Sequence, residues 1–147
     1  MSKKYIAYGS NMDLEQMKYR CPNAKLIGTG NLIGWRLMFK GSQTGAYATI
    51  ERDEKCTVPI LLWDISKADE KRLDFYEGFP TFYYKKNVQV ADSTITKGMA
   101  YIMHEERKLG VPTMYYYDVL YRAYLKFGFD LKILENAYRY TLAQQTN

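Results

Sequence analysis

The sequence predicts an α+β fold, a small, mixed but mostly antiparallel β-barrel with flanking helices, on three observations. Short apolar and β-branched runs recur between residues 26 and 103, several of them separated by glycine-containing breaks. One segment with helix-capping chemistry interrupts them, and two segments of helical period follow Pro112. At 147 residues the chain is expected to be a single domain spanning 1–147, long enough for one substantial core.

Each element follows from local chemistry. Tyr5-Ile6-Ala7-Tyr8 is apolar and stops at Gly9, which reads as a buried strand ending in a turn. A helix is expected to start at once: Ser10 or Asn11 can cap it, Asp13 stands three residues after Ser10, Leu14 and Met17 share a face, and Cys21-Pro22 stops it. Strands are expected around Leu26–Gly30, Trp35–Phe39, Ala46–Ile50, Val58–Ile65, Phe82–Val90 and Lys97–Met103. Ser66-Lys67-Ala68-Asp69 is a capping-box pattern for the interrupting helix, which Gly78 and Pro80 end, so that Glu77 falls at its C-terminus. Tyr116, Val119, Leu120 and Tyr124 repeat near 3.6 residues before Gly128, and a last helix is expected from Asp130 to about Ala143, with Ile133, Leu134, Ala137 and Tyr138 inward.

Composition narrows the function. The net charge is +5, but the lysines are scattered and cluster only as pairs such as Lys85-Lys86. Without a basic stripe or a recognised module, the fifteen tyrosines do not argue for a nucleic-acid partner. The start MSKKYIAYGSN lacks an apolar export region and no apolar run exceeds a strand, so neither export nor a membrane is expected. Cys21 and Cys56 have neither CxxC nor Cys/His spacing, which suggests no zinc site, no disulfide framework and a cytoplasmic location.

A strand that ends in glycine and feeds a helix presents unpaired N–H groups and the positive end of a helix dipole, a setting for an anion or oxyanion. The stretch is not a phosphate-binding GxxxxGK[ST] loop, and Gly9-Ser10 lacks the GxSxG spacing of a nucleophilic serine. The only histidine, His104, sits in the polar run HEER and reads as an exposed loop residue. A carboxylate is then the expected proton-transfer group. Glu77 has local cause for a raised pKa: helix carbonyls beside it, and Phe75, Tyr76, Phe79 and Phe82 to desolvate it. The alternative reading of these local features is an exposed glutamate beside a helix-ending glycine.

"YGSNM" after the first strand and "LDFYEGFPTFYY" after the mid-chain helix resemble signatures of the γ-glutamylcyclotransferase family. "GWRLMF", "AYATIE", "VPILLWDIS" and "VPTMYYYDVLYRAYLKFGFD" follow in the family's order, so the likeness covers nearly the whole chain. The resemblance implies a γ-glutamylcyclotransferase-like fold whose pocket converts a γ-glutamyl amine or γ-glutamyl amino acid to 5-oxoproline and a free amine. It implies no cofactor and no metal, and a small-molecule γ-glutamyl substrate as partner. Glu77 would be the acid/base, and Tyr8, Gly9, Ser10, Asn11, Met12 and Asp13 would form a substrate-binding turn. The family's late pocket tyrosine falls at Tyr116, with Tyr115 and Tyr117 one residue away on either side. A non-catalytic small-ligand-binding protein on the same fold is the competing reading.

Overall fold

The computed structural model describes residues 2 to 145. The strands are β1 (Lys3–Ala7), β2 (Lys25–Lys40), β3 (Tyr47–Ile65), β4 (Tyr83–Gln89) and β5 (Lys97–Met103). Among the described residues they form a five-stranded sheet of order β2-β3-β1-β5-β4. β1 lies in the middle, antiparallel to β3 with Lys3 opposite Ile65, and parallel to β5 with Tyr5 opposite Met99. A strand covered on both faces must be apolar without alternation, which is why Tyr5, Ile6 and Ala7 are consecutive and all buried. Its place in the sheet also delivers Tyr8 and Gly9 to the sheet's interior end, between neighbours on both sides.

Four of the expected strands fuse into two. β2 and β3 form one long antiparallel hairpin whose register shifts between Leu26 and Gly28 and again between Ile33 and Trp35. At the second shift Ile33 pairs with Thr57 while Trp35 pairs with Arg52, so β3 bulges through the polar residues Asp53 to Cys56 instead of ending there. The sheet is not closed. Its β2 edge meets the segment after β4 through the isolated bridge between Asn31 and Ala91, with N–H···O distances of 3.0 and 2.8 Å, and a side-chain bond from Asn31 Nδ2 to Asp92 Oδ2 at 2.9 Å. The expected barrel therefore holds only loosely.

The helices are α1 (Leu14–Arg20), α2 (Lys67–Glu77), α3 (Met114–Phe127) and α4 (Leu131–Gln145). α1 departs from expectation at its start: Ser10–Met12 form a single 3-10 turn, and Asp13 is the cap, accepting from the N–H groups of Glu15 and Gln16. α2 carries the expected capping box, with Ser66 and Asp69 each bonding the other's backbone, a device worth about 1 kcal/mol. It terminates at Gly78, whose φ of 65° is a left-handed conformation that favours glycine. α3 buries Val119, Leu120, Ala123 and Tyr124, and α4 buries Leu134 and Ala137, with Ile133 and Tyr138 packed at the edge of the same core. No helix of the described residues is long and apolar enough to cross a membrane.

Candidate active site

The end of β1, the end of α2 and the start of α3 converge on a cavity of about 320 Å³. Gly9, Ser10 and Asn11 line one side, and Phe75, Tyr76, Glu77 and Gly78 line another. Much of the remaining wall is tyrosine: Tyr5 and Tyr8 along β1 and its end, Tyr47 from β3, Tyr83 from β4, Tyr101 from β5 and Tyr116 from α3. Such a wall is apolar in its rings and polar only at its hydroxyls, which lets it desolvate a charge while fixing a few hydrogen bonds.

The turn closes through Met12 N–H to the Gly9 carbonyl and Asp13 N–H to the Ser10 carbonyl, both at 3.0 Å. Ser10 and Asn11, whose N–H groups precede these two bonds in the chain, line the cavity. Arg20, the last residue of α1, folds back onto the turn. Its Nη1 donates to Asn11 Oδ1 at 2.5 Å and to Ser10 Oγ at 3.3 Å, and its guanidinium carbon lies 3.7 Å over the Tyr76 ring. Arg20 thereby ties the turn to the end of α2, next to Glu77. Asn11 is held further by Trp63, whose Nε1 donates to its carbonyl at 3.2 Å.

Glu77 is half-buried and lines the cavity. Burial pushes its carboxyl up from the ordinary 4.5 to about 7, and the Arg20 guanidinium pulls in the opposite direction. Its protonation is thus balanced near neutrality, where one carboxylate both accepts and returns a proton most effectively. Glu51, Glu54 and Asp74, the carboxylates that would be considered after Glu77, do not line the cavity: Asp74 is bound by Lys85 and the Tyr101 hydroxyl, Glu51 by Lys40, and Glu54 is exposed.

Glu77 and the Gly9–Asn11 turn line one cavity, as the family resemblance leads one to expect, and the comparisons show the family. The model of the family described as "Gamma-glutamyl cyclotransferase, AIG2-like" matches residues 5–119. The chain belongs to this γ-glutamyl cyclotransferase family. A solved structure described as "Gamma-glutamyl cyclotransferase" superposes with a TM-score of 0.83 at 25% identity, covering 93% of this chain and 86% of the other. An uncharacterised protein from Homo sapiens superposes at 0.81 with 26% identity, covering 92% and 86%. YkqA from Bacillus subtilis, at 19% identity and a TM-score of 0.77 over 95% of this chain and 54% of its own, shares the fold. The search of curated proteins found no match.

Within this γ-glutamyl cyclotransferase fold, the expected site residues divide. Tyr8, Gly9, Ser10, Asn11, Glu77 and Tyr116 all line the cavity. Met12 is buried in the core and Asp13 caps α1, so both support the turn from behind and neither lines the cavity. Of the three consecutive tyrosines, Tyr115 is 65% exposed and Tyr117 packs on Phe39 and Tyr138, which leaves Tyr116 at the site. Phe75, Tyr76 and Phe82 contribute to the aromatic wall, whereas Phe79 lies under the Lys85 ammonium, away from it. His104 is half-buried and its Nε2 meets the Pro80 carbonyl oxygen at 2.7 Å, outside the cavity. Among the described residues no His, Cys, Asp and Glu cluster is arranged to hold a metal.

Sequence reasoning missed Tyr5, Tyr47, Tyr83, Tyr101 and Arg20. Tyr5, Tyr83 and Tyr101 sit in strands that bury them, Tyr47 is exposed, and only the spatial convergence of four strands and two helices reveals the common cavity. Their hydroxyls are not equivalent. Tyr8 donates to the Tyr101 carbonyl at 2.5 Å, Tyr83 to the Ala48 carbonyl at 2.8 Å and Tyr101 to Asp74 at 2.6 Å. Tyr116 instead accepts, from Ala48 N–H at 3.0 Å, and keeps its own proton available to the cavity.

Proposed function

We propose that this protein is a γ-glutamyl cyclotransferase that converts a γ-glutamyl amine or γ-glutamyl amino acid to 5-oxoproline and the free amine. The observation that carries the reading is the position of Glu77: a carboxylate balanced near pH 7 by burial, lining the same cavity as the Gly9–Asn11 turn. The family membership supports the general reaction.

In this reading the substrate's α-amine is the nucleophile. Glu77 takes a proton from the α-ammonium, and the freed amine attacks the γ-carbonyl of the same molecule, forming the lactam C–N bond. The resulting oxyanion is met by the turn N–H groups and by the Tyr116 hydroxyl proton. Collapse breaks the original γ-amide bond: Glu77 gives its proton to the departing nitrogen, and the freed carboxylate takes the second proton of the attacking nitrogen and passes it on, so that the lactam is neutral and the amine leaves as its ammonium ion. Atoms and charge balance without a protein nucleophile. Because both reacting groups belong to one substrate, the cavity's task is to hold the chain bent, where proximity supplies much of the acceleration.

The experiment is 5-oxoproline release from a panel of γ-glutamyl amines, γ-glutamyl amino acids and glutathione, run with the native protein and with Glu77→Gln. Release by the native protein and its loss in the variant support the reading. A panel with no 5-oxoproline, in which one compound raises the melting temperature, would assign the cavity to ligand binding without catalysis.

A further inference from the structure

We propose that the Tyr5 hydroxyl is a further ligand-binding group of this cavity, aimed by Arg20 through Asn11 to donate its proton to a carboxylate oxygen of the ligand. The inference is one of hydrogen-bond direction. A guanidinium has donors and no acceptor, so the Asn11 atom 2.5 Å from Arg20 Nη1 is the amide oxygen. The other end of that amide is then NH2, and Asn11 Nδ2 lies 2.9 Å from Tyr5 Oη, which must accept. A tyrosine hydroxyl that accepts retains its own proton for another partner. Tyr5 is 4% exposed and lines the cavity together with Glu77, so the acceptors within its reach are a bound ligand and, when ionised, the Glu77 carboxylate; a protonated Glu77 leaves the ligand.

The corner favours an anion. Tyr5, Ser10 and Asn11 line the cavity together, and the fixed charge of Arg20 is held behind them on Asn11 Oδ1 and Ser10 Oγ. The titratable groups that face Glu77 are Arg20 from α1, Tyr5 and Tyr8 from β1 and its end, Tyr83 from β4 and Tyr116 from α3. Of these only Arg20 carries a charge at neutral pH, and burial holds the tyrosines protonated. On the γ-glutamyl reading, on which this assignment rests for the ligand's identity, the group received is the α-carboxylate. Arg20 is a positioning residue: it fixes the Asn11 amide and does not line the cavity.

The test is calorimetric binding of 5-oxoproline and of 2-pyrrolidone, which is the same lactam without the carboxylate. The native protein is expected to bind 5-oxoproline about 10-fold tighter or more, and Tyr5→Phe to lose most of that preference, with 2-pyrrolidone affected little. Asn11→Asp keeps the shape but offers Tyr5 only acceptors, turning its proton away from the cavity; it should lower the preference as Tyr5→Phe does, with no further loss in the double variant. Arg20→Gln, whose amide donates or accepts, should lower the same ratio, and Arg20→Lys, a donor only, should retain it. An unchanged ratio in Tyr5→Phe, equal weakening of both ligands, or additive losses in the double variant would overturn the assignment. If Tyr5→Phe does not fold, Asn11→Asp in the native background decides alone. Turnover of γ-glutamyl anilide by the native protein separates the two readings: turnover without carboxylate preference overturns the Tyr5 assignment only, and preference without turnover overturns the cyclotransferase only.

Discussion

Gly9 and Tyr116 meet so closely that a Cβ on Gly9 would stand 3.2 Å from the Tyr116 hydroxyl oxygen. The glycine therefore admits both the turn and the hydroxyl to one side of the cavity. Gly9→Val should displace Tyr116 and lower kcat/KM by about 10²-fold or more, as expected for loss of oxyanion donors. Ser10→Ala, which leaves the backbone N–H groups in place, should cost less. Steady-state kinetics on variants with native melting curves check the order; a worse lesion in Ser10→Ala would make the serine hydroxyl the important donor.

Glu77→Gln should lower turnover by roughly 10²- to 10⁴-fold, because an amide cannot act as a base. The same variant has a signature in stability. A carboxyl raised from 4.5 to about 7 by burial contributes stability that is fully present below about pH 4.5 and lost as the pH rises through 7. The glutamine does not ionise and loses nothing over that window. The melting temperature of Glu77→Gln relative to the native protein should therefore be more favourable at pH 8 than at pH 5, measured by calorimetry; a constant difference would show that Glu77 is not raised.

Arg20 is the one charged group that pulls the Glu77 pKa down against burial. Removing the cation in Arg20→Gln should raise it further, so that the acidic limb of kcat/KM, where the base becomes protonated, moves to higher pH. Arg20→Lys should keep the limb near its native position. A limb unmoved in Arg20→Gln would mean that a group other than Glu77 is titrating.

Phe75 is 91% exposed although it lines the cavity, which places it at the mouth, the side from which an amine would leave in the proposed reaction. An apolar rim favours apolar leaving groups by about 0.8 kcal/mol for each methylene it buries. Across γ-glutamyl amides of graded alkyl length, the native protein should gain in kcat/KM with size, and Phe75→Ser should flatten that slope. A preference for charged amines would remove the rim from any part in specificity.

The turn was legible in the sequence because it is local, a strand ending in glycine before capping residues; the helix-ending glycine placed Glu77 but left an exposed glutamate open, and only the family resemblance singled it out. The capping of α2 was legible for the same reason, since Ser66 and Asp69 lie three apart. The hairpin of β2 and β3 was not, because the polar residues Asp53 to Cys56 look like a break and are a bulge. Nor was the cap of α1, where the 3-10 turn spends Ser10 to Met12 before the helix begins and leaves the role to Asp13. The tyrosine lining was hidden more deeply: Tyr5, Tyr83 and Tyr101 lie on three strands, and nothing in a strand's own pattern distinguishes a ring that packs in the core from one that also faces a cavity.

The most direct measurement compares γ-glutamyl anilide with its α-N-acetylated counterpart, following aniline release and identifying the acid product by mass spectrometry. Cyclisation by the substrate's own amine predicts aniline and 5-oxoproline from the free compound and no reaction of the acetylated one. Release of aniline from the acetylated compound, with N-acetylglutamate as the product, would contradict it and make the reaction a hydrolysis.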